Sequence, residues 1–189
     1  MDTVIAWTRQ VAAVLDEIER TGSYHVREEY IRVKYDVIAD HYIERYRWFT
    51  QAARRRIRIP EEYVYPIWLA LSNEQKLPPA SDTVTFTLEV PADQILIADM
   101  DRWGYCVNLM YVPTDPADER KHNEELQRMG IGNEALLFTS SKGNFYPMMK
   151  QKIVRSWDRI FEPSDNIDAC VGTIWAIRPE WIREVERYD

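Results

Sequence analysis

Three short stretches of this 189-residue chain carry side chains that could do chemistry. In "WTRQ", Trp7 can stack on a ring, Arg9 can pair with a phosphate and Gln10 can hydrogen-bond a base or an amide. The competing reading is a packed tryptophan beside two solvated polar groups. In "FTSSKGN", Thr139, Ser140 and Ser141 offer hydroxyls to a ligand at the end of an expected strand, although the same letters make an ordinary strand-to-turn junction. In "SWDRIFEPSDNIDACVGTIW", the residues Ser156, Asp158, Glu162, Asp165 and Asp168 flank the apolar face of Trp157 and Phe161. A carboxylate from Asp168 or Glu162 ahead of a strand can accept ribose hydroxyls or stabilise a developing cation, and it can equally cap a turn.

Many chemistries leave recognisable spacings, and here they are missing. There is no P-loop, dinucleotide fingerprint, nucleophile elbow, HExxH or zinc-type cysteine spacing, so no metal is expected. His25, His41 and His122 are scattered over stretches that read as amphipathic or exposed helices, which makes them surface or partly buried residues. Cys106 and Cys170 sit in apolar surroundings far apart in sequence, and two buried thiols are expected rather than a disulfide.

The net charge of −7 is uneven, because residues 1–60 carry 11 basic against 9 acidic groups and the rest carries 13 against 22. An acidic chain of this kind is a poor partner for nucleic acid. The cluster at Arg54, Arg55, Arg56 and Arg58 could hold a phosphate, but it reads first as a solvated helix end whose cations offset the helix dipole. No basic leader with an apolar run opens the chain and no stretch is apolar enough to span a bilayer, so a cytoplasmic protein without membrane contact is expected.

The elements that must position these residues follow from periodicity. "TVIAWTRQ" reads as a first strand, and "VAAVLDEIER" as a helix stopped by Gly22. Residues 23–56 contain neither Pro nor Gly and repeat apolar groups at helical spacing, which predicts one long helix or two abutting ones. "YVYPIWLAL" is extended, and Pro66 places it at a sheet edge or bulge. "TVTFTLEV" alternates strictly and is the clearest strand, and "QILIAD" follows as another. Asp99 or Asp101 caps a helix, and Asp115 with Pro116 opens a polar, exposed one. "ALLFTSS" is expected to be a strand and the segment from about Pro147 a helix. "ACVGTIWAI" reads as a strand and Pro179 as the start of a short last helix holding Trp181 and Val185. Strands and helices without regular βαβ alternation predict a single α+β domain over 1–189 with a mixed or antiparallel sheet and a long amino-terminal helical region.

Taken together, "IAWTRQ", "RYRWFTQAARRRI", "YPIWLAL", "LEVPADQILIADMDRW" and "SWDRIFE" resemble an uncharacterised family of bacterial and phage proteins, a domain of unknown function. The resemblance marks Trp7, Gln10, Trp48, Trp68, Asp99, Trp103, Ser156 and Trp157 as its signature positions and implies no activity. A second resemblance, to the ADP-ribosyltransferase fold, is carried by single residues in order: Arg9 on the first strand, the "IERTG" helix end, Thr139 to Ser141, and Asp168 before a late strand. It implies a split pair of sheets and a metal-free NAD site, in which Arg9 meets the pyrophosphate, Ser140 or Ser141 supports the cleft and Asp168 or Glu162 supplies the carboxylate. The chain departs from that pattern in lacking a glutamate at the start of the closing strand, where Asp168 is one methylene shorter.

Two functions are therefore expected to compete: a protein that binds NAD or a related nucleotide, active or degenerate as an enzyme, and a non-catalytic factor that binds a protein partner through exposed aromatics. The nucleotide reading requires the closing strand to lie against the first one, so that the two ends of the chain frame a crevice.

Overall fold

Val84, Phe86, Leu88 and Val90 are fully buried, and their strict alternation makes Thr83–Pro91 (β3) the centre of a sheet. In this computed structural model, which describes residues 2–188, β3 pairs antiparallel with Thr3–Val11 (β1) on one side and Ile182–Tyr188 (β6) on the other. A second sheet orders Ile67–Leu69 (β2), Cys170–Ile174 (β5) and Leu96–Asp99 (β4), with β5 in the middle. The fold is α+β, with two small antiparallel three-stranded sheets. The chain forms two compact units, one comprising the segment up to Ala98 together with the segment from Asn166 onward, the other Asp99–Asp165.

The first unit packs the apolar face of β3 against Val14 and Ile18 of Ala13–Thr21 (α1), Ile67 and Leu69 of β2, and Ile174 of β5. Gly22 ends α1 at φ 81, a left-handed conformation that a residue without Cβ adopts at no steric cost. The helical region breaks into Glu28–Tyr35 (α2) and Ala39–Ala53 (α3) at Asp36, whose φ is 45. Pro66 does place β2 at a sheet edge. At the end of α3 Arg56 donates to the helical carbonyl of Ala52 at 3.0 Å, while Arg54 reaches forward to the carbonyls of Pro60, Glu61 and Tyr63 at 3.0–3.2 Å.

The second unit is helical: Met100–Val107 (α4), Pro116–Arg128 (α5), Leu136–Thr139 (α6) and Pro147–Ser156 (α7). Asp99, rather than Asp101, caps α4 by accepting from the Arg102 amide at 3.0 Å. Trp157 is 1% exposed, and its indole N–H donates to the Met110 carbonyl at 2.7 Å.

Several expectations are corrected. "ALLFTSS" is not a strand: α6 and a 3-10 turn over Ser141–Phe145 replace it, because Asn133 accepts from the Ala135 amide just ahead of α6, Ser140 caps the 3-10 turn and the Thr139 hydroxyl folds back on the Ala135 carbonyl. The chain after Pro179 makes only a 3-10 turn over Pro179–Trp181 and then becomes β6, since the open edge of β3 offers a ladder that an isolated short helix cannot match. Helix α5 is not exposed all round, for His122 and Leu126 are buried, and His25 lies in the loop before α2. Of the two thiols Cys106 is buried, whereas Cys170 is partly exposed.

Candidate functional site

β1 uses one edge for β3 and leaves most of the other open. On that open edge a single bridge forms, with the Trp7 amide donating to Ala70 at 3.0 Å and the Ala70 amide donating back at 2.8 Å. This bridge joins the two sheets of the first unit, so the sheets part on either side of Trp7. β2 continues into β5 through Leu69 opposite Gly172. A Cβ on Gly172 would meet Ile95 Cδ1 at 2.7 Å and Leu71 Cδ2 at 3.1 Å, so glycine lets the strand pack this closely. The closing strand β5 thus does not pair with β1 as expected; β2 stands between them.

The loop that follows β2 gathers several of the expected site residues. Gln75 accepts from the Leu71 amide at 2.8 Å and donates to the carbonyls of Asp168 and Cys170 at 3.1 and 2.9 Å, tying the loop to the start of β5. Lys76 holds its ammonium 4.6 Å above the Trp7 ring, a geometry in which the ring quadrupole attracts the charge. Arg9 donates to the Pro78 carbonyl of the same loop. Trp7, Arg9 and the backbone of Asp168 are therefore brought under one loop, while the Gln10 amide turns back to the Thr8 hydroxyl at 2.8 Å. The Asp168 residue is exposed in a 3-10 turn over Ile167–Ala169.

The remaining candidates belong to the second unit. Thr139, Ser140 and Ser141 are exposed, and the hydroxyls of Thr139 and Ser140 donate to the helical carbonyls of Ala135 and Leu136 at 3.0 and 2.6 Å. Glu162 is exposed, and its carbonyl accepts from Arg102 at 3.2 Å. Sequence reasoning overlooked Gln75 and Lys76, whose segment "SNEQKLPPA" reads only as a proline-rich loop.

It also overlooked a polar cluster in the second unit. Tyr111 is buried, donates its phenol to both carboxylate oxygens of Asp118 at 3.0 and 3.1 Å, and gives its amide to Glu134 at 2.7 Å. His122 stacks on that ring with 4.1 Å between centroids and lies 3.4 Å from Glu134. At 2% exposure neither ring nitrogen of His122 has a well-aligned hydrogen bond among the described residues, so the Glu134 contact is not a formed hydrogen bond. Burial opposes ionisation of Asp118, but the Thr114 amide, the Tyr111 phenol and Arg159 together hold its carboxyl below the ordinary value.

The family described as "Domain of unknown function (DUF3841)" matches residues 5–183. The chain belongs to the DUF3841 family. No curated protein and no solved structure matches it. Several of the positions that carried the DUF3841 resemblance have structural work: Asp99 caps α4, Trp103 and Trp157 are interior, and the Ser156 hydroxyl accepts from the buried Val112 amide at 2.9 Å. Trp7 and Gln10 differ in being partly exposed beside the parting of the sheets. Among the described residues no helix is long and apolar enough to cross a membrane.

Proposed function

We propose that this DUF3841 chain binds NAD or a related nucleotide at the parting between the two sheets of its first unit, in the manner of an ADP-ribosyltransferase-like protein. The observation that carries this reading is the pair of three-stranded sheets joined through the Trp7–Ala70 bridge, the split arrangement that the resemblance to that fold implies; the loop after β2, in place of direct pairing of β5 with β1, ties the start of β5 to Trp7 and Arg9. Trp7 offers a stacking ring once Lys76 withdraws, Arg9 exchanges the Pro78 carbonyl for a pyrophosphate, and Asp168 offers its carboxylate to a ribose. In an active protein the bond from ribose C1′ to nicotinamide breaks, nicotinamide leaves with the electron pair, and a nucleophile forms the new bond at C1′ while the carboxylate supports the developing positive charge. Thr139, Ser140, Ser141 and Glu162 have no part in this reading.

Thermal unfolding with millimolar NAD or ADP-ribose tests it. A ligand at 100 times its Kd adds about 2.7 kcal/mol to the folded state, and the shift should vanish in Arg9→Ala and in Trp7→Ala. Nicotinamide release that Asp168→Asn abolishes would mark an active enzyme; a thermal shift without release would mark a degenerate one. The absence of any shift would end the nucleotide reading. A protein-binding role is the second reading, favoured by Val33 and Val37, which are 86% and 90% exposed at the α2–α3 elbow. Concentration-dependent self-association that Val37→Asp abolishes is its signature.

A further inference from the structure

The second unit carries a groove that the nucleotide reading does not use. Its volume is about 300 Å³, and Tyr111, Met148, Lys152, Arg155, Ser156 and Arg159 contribute to its lining. The three cations lie at i, i+3 and i+7 along α7 and the 3-10 turn that continues it over Trp157–Phe161, a spacing that puts them on one face. Lys152 is tied to Glu125 at 2.6 Å, and Arg159 to Asp118 at 3.3 Å and to the Val112 carbonyl. Arg155 is exposed, and its guanidinium has no partner among the described residues. Glu125 and Asp118 pair with Lys152 and Arg159, and Glu134 is engaged by the Tyr111 amide, so the positive charge left without a direct partner is that of Arg155, the side chain best suited to grip an oxyanion bidentately.

The floor is built rather than incidental. Tyr111 receives Lys152 and Arg159 over its ring at 5.0 and 5.2 Å, and it is held by Asp118 through its phenol and by Glu134 through its amide. Beneath it the buried His122 keeps both ring nitrogens without a hydrogen bond among the described residues. A half-satisfied buried network is costly, and chains tolerate one chiefly where a site is being held in place. Met148, 74% exposed, supplies an apolar wall beside the cations.

We infer that this groove binds a small organic phosphate monoester, with Arg155 gripping the phosphate, Lys152 and Arg159 supporting its charge, and Met148 meeting the organic part. The volume stands at the lower end of the range for small-ligand sites, which suits a monoester carrying one small ring or short chain.

Calorimetric titration of the full chain with phenyl phosphate, and separately with phenol, tests the inference. Phenyl phosphate should bind, more weakly as salt is added, and phenol should not. Arg155→Ala should weaken binding by about tenfold or more, with Arg155→Lys between the two because it keeps the charge and loses the fork. Since Arg155 is exposed, an unchanged melting temperature in both variants assigns the loss to the site. Arg9→Ala should leave phenyl phosphate binding untouched, so the fate of this groove is separable from that of the nucleotide reading. No binding of phenyl phosphate at millimolar concentration, equal binding of phenol, or full affinity in Arg155→Ala would overturn it.

Discussion

Ser156 shows what a small polar side chain does when it is 4% exposed. Its hydroxyl donates to the Ile153 carbonyl at 2.6 Å and accepts from the Val112 amide at 2.9 Å, so it closes a turn and satisfies a buried donor at once. Ser156→Ala removes the acceptor and leaves that amide unpaired, which costs about 1–3 kcal/mol. Chemical denaturation should report a loss in that range, whereas Ser156→Thr should recover part of it; a neutral Ser156→Ala would mean that water replaces the hydroxyl. The residue scale was partly legible. Ser156, Trp157 and Asp99 stand out in the sequence by type and place, but sequence alone sets Ser156 among candidate site residues when its bonds are structural. His122 was not legible, because its burial depends on Glu134 and Tyr111 arriving from other segments.

At the scale of elements the α2–α3 elbow stores strain. Asp36 combines φ 45 with ψ −120, a conformation that costs a residue with Cβ of order 1 kcal/mol or more. Asp36→Gly should therefore raise stability by about 1 kcal/mol, partly offset by the entropy glycine brings to the unfolded chain; a fall in the unfolding midpoint would show that the Asp36 side chain holds the elbow instead. The opposite change is expected at Gly143, where an added Cβ would stand 1.7 Å from the Leu137 carbonyl oxygen. Gly143→Ala should lose about 1–3 kcal/mol as the 3-10 turn is pushed off α6, read by the same denaturation. The strand β3 was legible because the alternation in the sequence matches the full burial of Val84, Phe86, Leu88 and Val90. β6 was not, for Ile182, Val185 and Tyr188 are its partly buried residues and fall three apart, a spacing closer to helix than strand. A register shift beside Leu88 sets Ile182 and Val185 three apart on one face, while Tyr188 stands opposite Thr83 on the other, and no local signal announces a bulge made by a distant partner. The parting of the sheets depends on the same kind of long-range pairing, which is why Trp7 could be picked out by type while Gln75 and Lys76 could not.

At the scale of the whole chain, both units lean on ionised carboxylates held below their ordinary range. In the first, the Tyr65 phenol and Arg32 stabilise ionised Glu28, Arg183 and Thr3 do so for Glu89, and Arg27 with Tyr30 outweighs the burial that opposes ionisation of Glu17. In the second, the amides of Asp118 and Ala117 do so for Asp115, and Lys152 for Glu125. A group whose folded value is depressed contributes stability that is fully present above its unfolded value, near pH 4, and is lost as pH falls through the folded value. With 24 basic side chains against carboxylates that are then being neutralised, self-repulsion adds to the loss. The melting temperature should accordingly stay level from neutral pH to about 5 and drop steeply below about 4. Removing Asp118, which also anchors Tyr111 and Arg159, separates a local from a distributed origin. Asp118→Asn should lower the neutral-pH plateau and blunt, without abolishing, the acid transition, because the carboxylates of the first unit still titrate. A decline that began between pH 7 and 6 would instead show that these carboxylates do not set the acid limit.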